Sequence, residues 1–293
     1  MRFGTDRAAA RSPARVVPPN ALERVFEHAD RSDWAAIRAT CADWRDVFDA
    51  WCPRLRPRAP ARSPDAWRRF VRLQMLDLRA CVPTASHRDA WPGTVHAVAA
   101  PADAVHALPP RTTSLICTPP RRPCVAALHS LPRSLTQLSL ARCGAACFAV
   151  TDGAYRLVGL ERLTRLTSLD LAGNFVSKRG DTPLELTSIA RLPALTALSL
   201  AHNLNLDLSA LGAARGLTRL DLTGVATVNK HGLRALADLR GLTDLRLSHT
   251  VYTGAYTGLC TLTRFERLRR LSLPILRSGS HEDMATVLNA LAA

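Results

Sequence analysis

A nine-residue pattern recurs along the chain and constrains the fold more than any other feature of the sequence. The segment LTSLDLAGN (166–174) is followed 29 residues later by LTALSLAHN (195–203). Both have leucine at the first, fourth and sixth places and asparagine at the ninth. The leucine frame occurs four more times, beginning at Leu135, Leu217, Leu242 and Leu268. Recurrence of this kind is typical of a protein built from stacked repeats.

Weaker copies of the same frame precede the clear ones. Leu73, Leu76 and Leu78 keep the full register, whereas the copies that begin at Val95 and Thr112 match it poorly. We therefore predict six clear copies and three degenerate ones. The clear copies start 22 to 31 residues apart, and the extra residues fall outside the leucine frame.

The chemistry of the frame favours a short β-strand. Side chains alternate along a strand, so the leucines at the fourth and sixth places lie on one face and the residues beside them on the other. One such strand cannot bury its leucines alone. Strands stacked in a parallel sheet share a continuous core, and full burial of each leucine is worth about 1.5–3 kcal/mol.

The ninth place of the frame calls for a side chain that can bond to the backbone where the chain leaves the strand. An asparagine can both donate and accept there. Cys143 and Thr250 can replace part of this bonding, but Val225 and Leu276 cannot. We therefore expect the array to become looser toward its last copy.

On these motifs the chain from about residue 73 onward resembles a leucine-rich-repeat protein. The resemblance implies an α/β solenoid, or horseshoe, with degenerate repeats over 67–130, clear repeats over 131–276 and a C-terminal cap over 277–293. The alternative is a bundle of amphipathic helices. It is disfavoured because leucines at the first, fourth and sixth places do not continue with helical spacing.

The first part of the chain differs from the repeats. Residues 1–16 carry four arginines and no periodic apolar pattern, so we predict a disordered tail. Over 17–53, apolar residues at helical spacing predict a small all-α unit. Proline and arginine dominate residues 54–66, which we interpret as a linker.

The helical unit resembles an F-box. The resemblance rests on Val17 and Pro18, on an apolar helix face, and on Thr40-Cys41-x-x-Trp44, which is close to a Val-Cys-x-x-Trp signature. It implies docking onto a Skp-type linker protein of a cullin–RING ubiquitin ligase. The residues implied to make that contact are Pro18, Leu22, Val25, Phe26, Ile37, Cys41 and Trp44. The alternative is a helical cap that covers the open end of the repeat array.

The basic composition raises the alternative of nucleic-acid binding. The net charge is +15, and all but two of the 39 basic residues are arginines, the exceptions being Lys178 and Lys230. Basic residues clustered on one face would bind phosphates. Here the arginines are dispersed and aromatic stacking partners are rare, which favours solvated surface charge.

Catalytic, metal and membrane signatures are missing from the sequence. The eight cysteines form no CxxC pair and are predicted to be reduced thiols of the core, not disulfides or zinc ligands. No GxSxG, HExxH or glycine-rich phosphate loop occurs, so we predict no enzymatic activity and no cofactor. No apolar run approaches the ~18 residues of a membrane span, and we expect a cytoplasmic or nuclear protein.

The residues beside the strand leucines predict a binding surface. The candidates for contact with a protein target are Asp170, Arg219, Asp221, Asp244, Arg246 and Arg270. Mixed charges suit a protein better than a polyanion, although ion pairs within the chain are an equally simple role for them. We predict an adaptor whose helical unit binds the ligase and whose repeats bind the target. The alternatives are a repeat scaffold without a ligase link and a basic nucleic-acid-binding protein.

Overall fold

The structure is a computed structural model that describes the repeat region and little of the N-terminal part. It describes residues 52, 54–55, 70–79, 91–120, 129–144, 147–174, 184–204, 206–225, 230–250 and 262–273. The predicted tail, the F-box-like unit apart from Cys52, and the C-terminal cap lie outside these residues.

Ten short strands form one parallel sheet in which each strand pairs with the next copy along the chain. They are β1 (Arg54–Leu55), β2 (Met75–Asp77), β3 (Ala97–Pro101), β4 (Ser114–Thr118), β5 (Gln137–Ser139), β8 (Ser168–Asp170), β9 (Ala197–Ser199), β10 (Arg219–Asp221), β11 (Asp244–Arg246) and β12 (Arg270–Ser272). A separate hairpin of β6 (Ala149–Thr151) and β7 (Ala154–Arg156) lies between β5 and β8 in the sequence.

In every strand of the sheet, the fourth-place residue pairs with the fourth-place residue of the adjacent strand. The residues paired across the sheet are Leu55, Leu76, Val98, Leu115, Leu138, Leu169, Leu198, Leu220, Leu245 and Leu271. All but the first and last of these are buried, and all ten contribute to one continuous core or pack against it. The poorly matching copies at Val98 and Leu115 are thus true repeat strands.

The first strand differs from the sequence prediction. Arg54 and Leu55, assigned to the linker, pair in parallel with Met75 and Leu76. Cys52 is fully buried three residues before Leu55, which is the spacing of Leu73 and Leu76. A further copy therefore precedes the nine predicted ones. Its frame was missed because cysteine replaces the leucine of the first place and Pro57 that of the sixth.

Helical turns connect the strands and cover the other side of the leucines. They are the 3-10 helices Ala102–Ala107, Leu160–Arg162 and Leu208–Ala213, together with α1 (Thr187–Ala190) and α2 (Lys230–Leu236). Leu160, Ile189, Leu211 and Leu233 point from them into the same core. Tyr155, Leu184 and Leu206 also form isolated parallel bridges between successive copies.

The ninth-place side chains form the polar ladder that the sequence predicts. The side-chain Nδ2 of Asn174 donates to the carbonyls of Leu140 and Leu171, at 3.0 and 2.8 Å. Asn203 donates in the same way to Leu171 and Leu200, and its Oδ1 accepts from the Asn174 amide at 2.9 Å. Each asparagine therefore joins two successive copies.

The ladder continues where asparagine is absent. The Thr250 hydroxyl donates to the Leu222 carbonyl of the preceding copy at 2.9 Å. That carbonyl therefore has a side-chain donor although its own copy has the buried Val225 at the ninth place. Leu268, Leu271 and Leu273 in the last described copy are only partly buried, as expected for a looser end of the array. Leu276 lies outside the described residues.

A second ladder was not predicted. Threonine occupies the second place of five clear copies and of the copy at β4, and each hydroxyl donates to the second-place carbonyl of the preceding copy at 2.9 to 3.3 Å. The residues are Thr113, Thr136, Thr167, Thr196, Thr218 and Thr243. This ladder holds the edge of the sheet where the strands begin.

The eighth place of the frame adopts the left-handed conformation in five successive copies. The residues are Arg142, Gly173, His202, Gly224 and His249, with φ between 57 and 70°. Large side chains and glycines alternate, and a Cβ at Gly224 would clash with Nδ1 of His202. Glycine is therefore favoured at position 224, because its φ is strained for other residues and an added Cβ would displace the His202 imidazole.

The described residues offer no metal centre or membrane span. They contain no group of three potential metal ligands, and no helix among them is long and apolar enough to cross a bilayer. Their cysteines, Cys52, Cys117, Cys143 and Cys147, are buried as thiols.

Replacing Asn203 should destabilise the array more than replacing Thr250. Asn203→Leu keeps the branched shape but removes three hydrogen bonds and leaves the Asn174 amide and the Leu200 carbonyl without these partners. Thr250→Val removes one hydrogen bond, and the Leu222 carbonyl stays bonded to the Val225 amide. Since each unpaired buried group costs about 1–3 kcal/mol, urea denaturation should show that Asn203→Leu lowers the free energy of unfolding by about 2–6 kcal/mol, against about 1 kcal/mol for the single bond lost in Thr250→Val. Equal losses would contradict the role assigned to the asparagine ladder.

Gly224→Ala should be more destabilising than Gly144→Ala. Both glycines have positive φ, so each alanine costs about 1 kcal/mol, but a Cβ at Gly144 meets no atom within 4 Å. Thermal unfolding of both variants gives the comparison. Adding His202→Ala to Gly224→Ala should remove the difference; if it does not, the contact with the imidazole is not the cause.

Candidate functional site

The solvent-facing side of the ten-stranded sheet is the surface on which the predicted target-binding residues lie. We call it the concave face. It is made of third-place and fifth-place side chains, which flank the buried fourth-place residue in each strand. Because the strands are in register, these side chains form two columns that run across the sheet.

All six predicted residues are in these columns. Arg219, Asp244 and Arg270 are consecutive third-place residues, paired in register through β10, β11 and β12. Asp170, Asp221 and Arg246 are fifth-place residues of β8, β10 and β11. The structure thus brings five of the six together on three adjacent strands, while β9 separates Asp170 from them.

An ion-pair network connects four of the six. Arg246 lies 3.4 Å from Asp244 and 4.0 Å from Asp221, and Arg270 lies 3.9 Å from Asp244. Asp244 is only 7% exposed, so it is a buried carboxylate between two arginines and differs from the open surface charge expected from sequence. Burial is tolerated because both neighbours supply positive charge.

The fifth-place carboxylates also hold the ends of the strands. The amide two residues later donates to the carboxylate at 2.9 to 3.1 Å in the pairs Arg79 to Asp77, Ala172 to Asp170 and Thr223 to Asp221. Asp170 accepts a further hydrogen bond from the Ser139 hydroxyl at 3.0 Å. Asp170 and Asp221 were predicted to contact a target, and this local role, which is typical of aspartate at turns, was not predicted.

Arg79, just beyond the end of β2, has a raised pKa. The Arg79 guanidinium donates to both carboxylate oxygens of Asp77, at 2.9 and 2.6 Å. This hydrogen bonding, together with the negative charge of Asp77, raises the pKa of Arg79. Arg79 therefore stays protonated and is committed to Asp77.

Arg219 differs from the other charged residues of the face. Its side chain is exposed, and within the part of the chain that the structure describes it makes no ion pair or side-chain hydrogen bond. It borders an open depression of about 220 Å³ whose floor is formed by small side chains of β8 and β9. The small residues are Ser168, Ala197 and Ser199.

The N-terminal part of the face carries several apolar side chains beside Asp77. Met75, Ala97 and Ala99 lie in β2 and β3, and Ile116 in β4 is 47% exposed. Ile116 was not a predicted site residue because its copy matched the frame poorly. Its exposure could have been anticipated from the fifth place that it occupies after Leu115.

The predicted Skp-type contact residues cannot be placed on this surface. Pro18, Leu22, Val25, Phe26, Ile37, Cys41 and Trp44 all lie outside the described residues.

Comparison with known proteins supports the fold. No protein-family model matches the sequence, and no curated protein is similar to it. Among solved structures, an internalin (inlF) from Listeria monocytogenes str. 4b F2365 is similar over 83% of this chain and 67% of its own, with 15% identity and a TM-score of 0.55. An internalin C2 (inlC2) from the same strain is similar over 89% of this chain and 96% of its own, with 16% identity and a TM-score of 0.44.

The likeness to inlF confirms the leucine-rich-repeat solenoid. Internalins are leucine-rich-repeat proteins, and their stacked copies agree with the parallel sheet described above. At 15% identity the likeness concerns the fold alone.

Proposed function

We propose that this protein binds another protein through the concave face and acts by binding, not by catalysis. The observation that carries the proposal is the open depression beside Arg219, in the C-terminal half of a sheet whose side chains are fixed in register. Solenoids of stacked repeats present extended binding surfaces of this kind.

The side chains around the depression are held in place before any partner arrives. Asp170 and Asp221 accept backbone hydrogen bonds, and Asp244 is fixed between Arg246 and Arg270. A surface with few side chains left to order loses less entropy on binding. This preorganisation supports recognition of a defined partner.

The balance of charge favours a protein over a nucleic acid. Three aspartates accompany three arginines on β8 to β12, so the surface has no excess positive charge in spite of the basic composition of the chain. Carboxylates between the arginines repel phosphates and reduce the counterion release on which nucleic-acid affinity depends.

Filling the depression should abolish partner binding. Ser199 lies at its floor, and Ser199→Trp would block access without altering a core leucine. We expect affinity purification with quantitative mass spectrometry to lose the partner for Ser199→Trp and to retain it for Arg215→Trp, an exposed residue away from the face. Identical sets of co-purified proteins from both variants and the wild type would refute the proposal.

A second candidate function is recruitment of that partner to a cullin–RING ubiquitin ligase. It is supported by the F-box-like residues between Pro18 and Trp44. Cys52, eight residues after Trp44, is already in the repeat core, so the motif directly precedes the array along the chain. Such an adaptor would raise the effective concentration of a target near the ligase, and it would work in the cytoplasm or nucleus.

The adaptor role predicts direct binding of a purified Skp-type protein. The double variant Leu22→Asp with Trp44→Ala should lose this binding, because both changes remove apolar surface from a helix face that enters a groove. Ser199→Trp should bind as the wild type does. If the wild type fails to bind while the double variant lowers the unfolding temperature, the helical unit is a cap and the adaptor role is wrong.

A further inference from the structure

Arg219 and Ile116 are side chains of the concave face that the fold leaves open to solvent. Building on the proposed function, we propose that the protein partner presents an extended segment that carries a carboxylate for Arg219 and an aliphatic side chain for Ile116. The segment would cross the strands between β10 and β4.

The case for a carboxylate begins with the neighbours of Arg219. Asp221 follows on the same strand and Asp244 is paired with Arg219 in register on β11. Both carboxylates are nonetheless engaged, Asp244 with Arg246 and Arg270, and Asp221 with Arg246 and the Thr223 amide. The guanidinium of Arg219 is therefore left with its hydrogen-bonding capacity for a partner.

The surroundings of Arg219 leave room for an incoming group. On the β9 side its register neighbour is Ala197, and Ser199 and Ser168 continue the floor of the depression. A planar guanidinium binds a carboxylate through two parallel hydrogen bonds, and arginine is enriched at protein interfaces. The depression of about 220 Å³ can hold one aspartate or glutamate side chain.

The nearby aspartates select for a single negative charge. A phosphate group carries between one and two charges and would face Asp221, Asp244 and Asp170 together. Repulsion from these three carboxylates would cancel most of the electrostatic attraction between the phosphate and Arg219. A carboxylate carries one charge and can approach Arg219 from the side of the small residues.

Ile116 supplies the second contact. It is 47% exposed, and the other large hydrophobic residues of the described chain that are exposed, Val71 and Val150, lie outside the ten-stranded sheet. Its register neighbours are Ala99 and Ser139. Their small size leaves the isoleucine side chain accessible from both sides. Covering it with an aliphatic side chain would bury apolar surface on both partners.

The separation of the two contacts sets the spacing in the partner. From β4 to β10 the sheet order passes through β5, β8 and β9, which gives four intervals of about 4.8 Å, or about 19 Å. An extended chain advances about 3.3 Å per residue. The aliphatic and acidic residues of the partner should therefore lie about six positions apart.

Selection from a phage-displayed library of random peptides tests this inference. The peptides should be about 12 residues long, which is twice the expected spacing of the two contacts. Wild-type protein should enrich peptides with an aspartate or glutamate about six positions from a leucine, isoleucine or valine. Arg219→Gln should weaken binding of a selected peptide by about tenfold or more, and selection on Arg219→Glu should enrich lysine or arginine in place of the acid. Ile116→Ser should remove the aliphatic preference only.

The controls separate this inference from the proposed function. Arg215→Glu makes the same charge change on an exposed residue away from the face and should leave selection unchanged. Peptides that bind independently of Arg219 but are lost with Ser199→Trp would overturn the inference and leave the proposed function standing. No enrichment, or enrichment insensitive to Ser199→Trp, would count against both. Thermal unfolding confirms that each variant is folded.

Discussion

Each strand of this chain can bury its central aliphatic side chain only against the strands of neighbouring copies, and the rest of the structure depends on that contact. Leu198 is covered by Leu169 on one side and Leu220 on the other, and the same holds along the sheet. A leucine two residues on completes most layers of the core, and Ala100 and Cys117 take its place after Val98 and Leu115. Because the contact fixes the register, every other place of the frame also meets its counterpart in the next copy.

That register turns single polar residues into ladders. A threonine at the second place and an asparagine at the ninth bond to carbonyls of the preceding copy, so the two ends of each strand are tied to the array by side chains as well as by the sheet. Buried backbone groups at the bends would otherwise lack partners. Val225 shows that one copy can omit its own polar residue when Thr250 of the next copy reaches back to Leu222.

The strands could be predicted from the sequence because side chains alternate along each of them. Features that depend on residues from neighbouring strands could not. The leucine frame predicted nine strands, since each is local to its copy, and the structure contains all of them. It missed the strand at Leu55, whose frame has cysteine in place of the first leucine. The burial of Asp244 could not be predicted either, because it depends on Arg246 of the same strand and Arg270 of the adjacent strand. The role of Asp170 as acceptor for Ala172 is local and could have been recognised as a turn motif.

The alternation of side chains also separates stability from recognition on most of the concave face. Leu220 faces the core, whereas Arg219 beside it faces solvent, so evolution can exchange the arginine without disturbing the layer of leucines. Asp170 and Asp221 break this separation, because the same carboxylates face a partner and bind the backbone at the end of their strands. Specificity is therefore freest to change at third-place positions such as Ala197 and Arg219. Asp170 and Asp221 keep their negative charge on the face because they also bind the backbone. A partner therefore meets this charge whichever residue occupies the third place beside it.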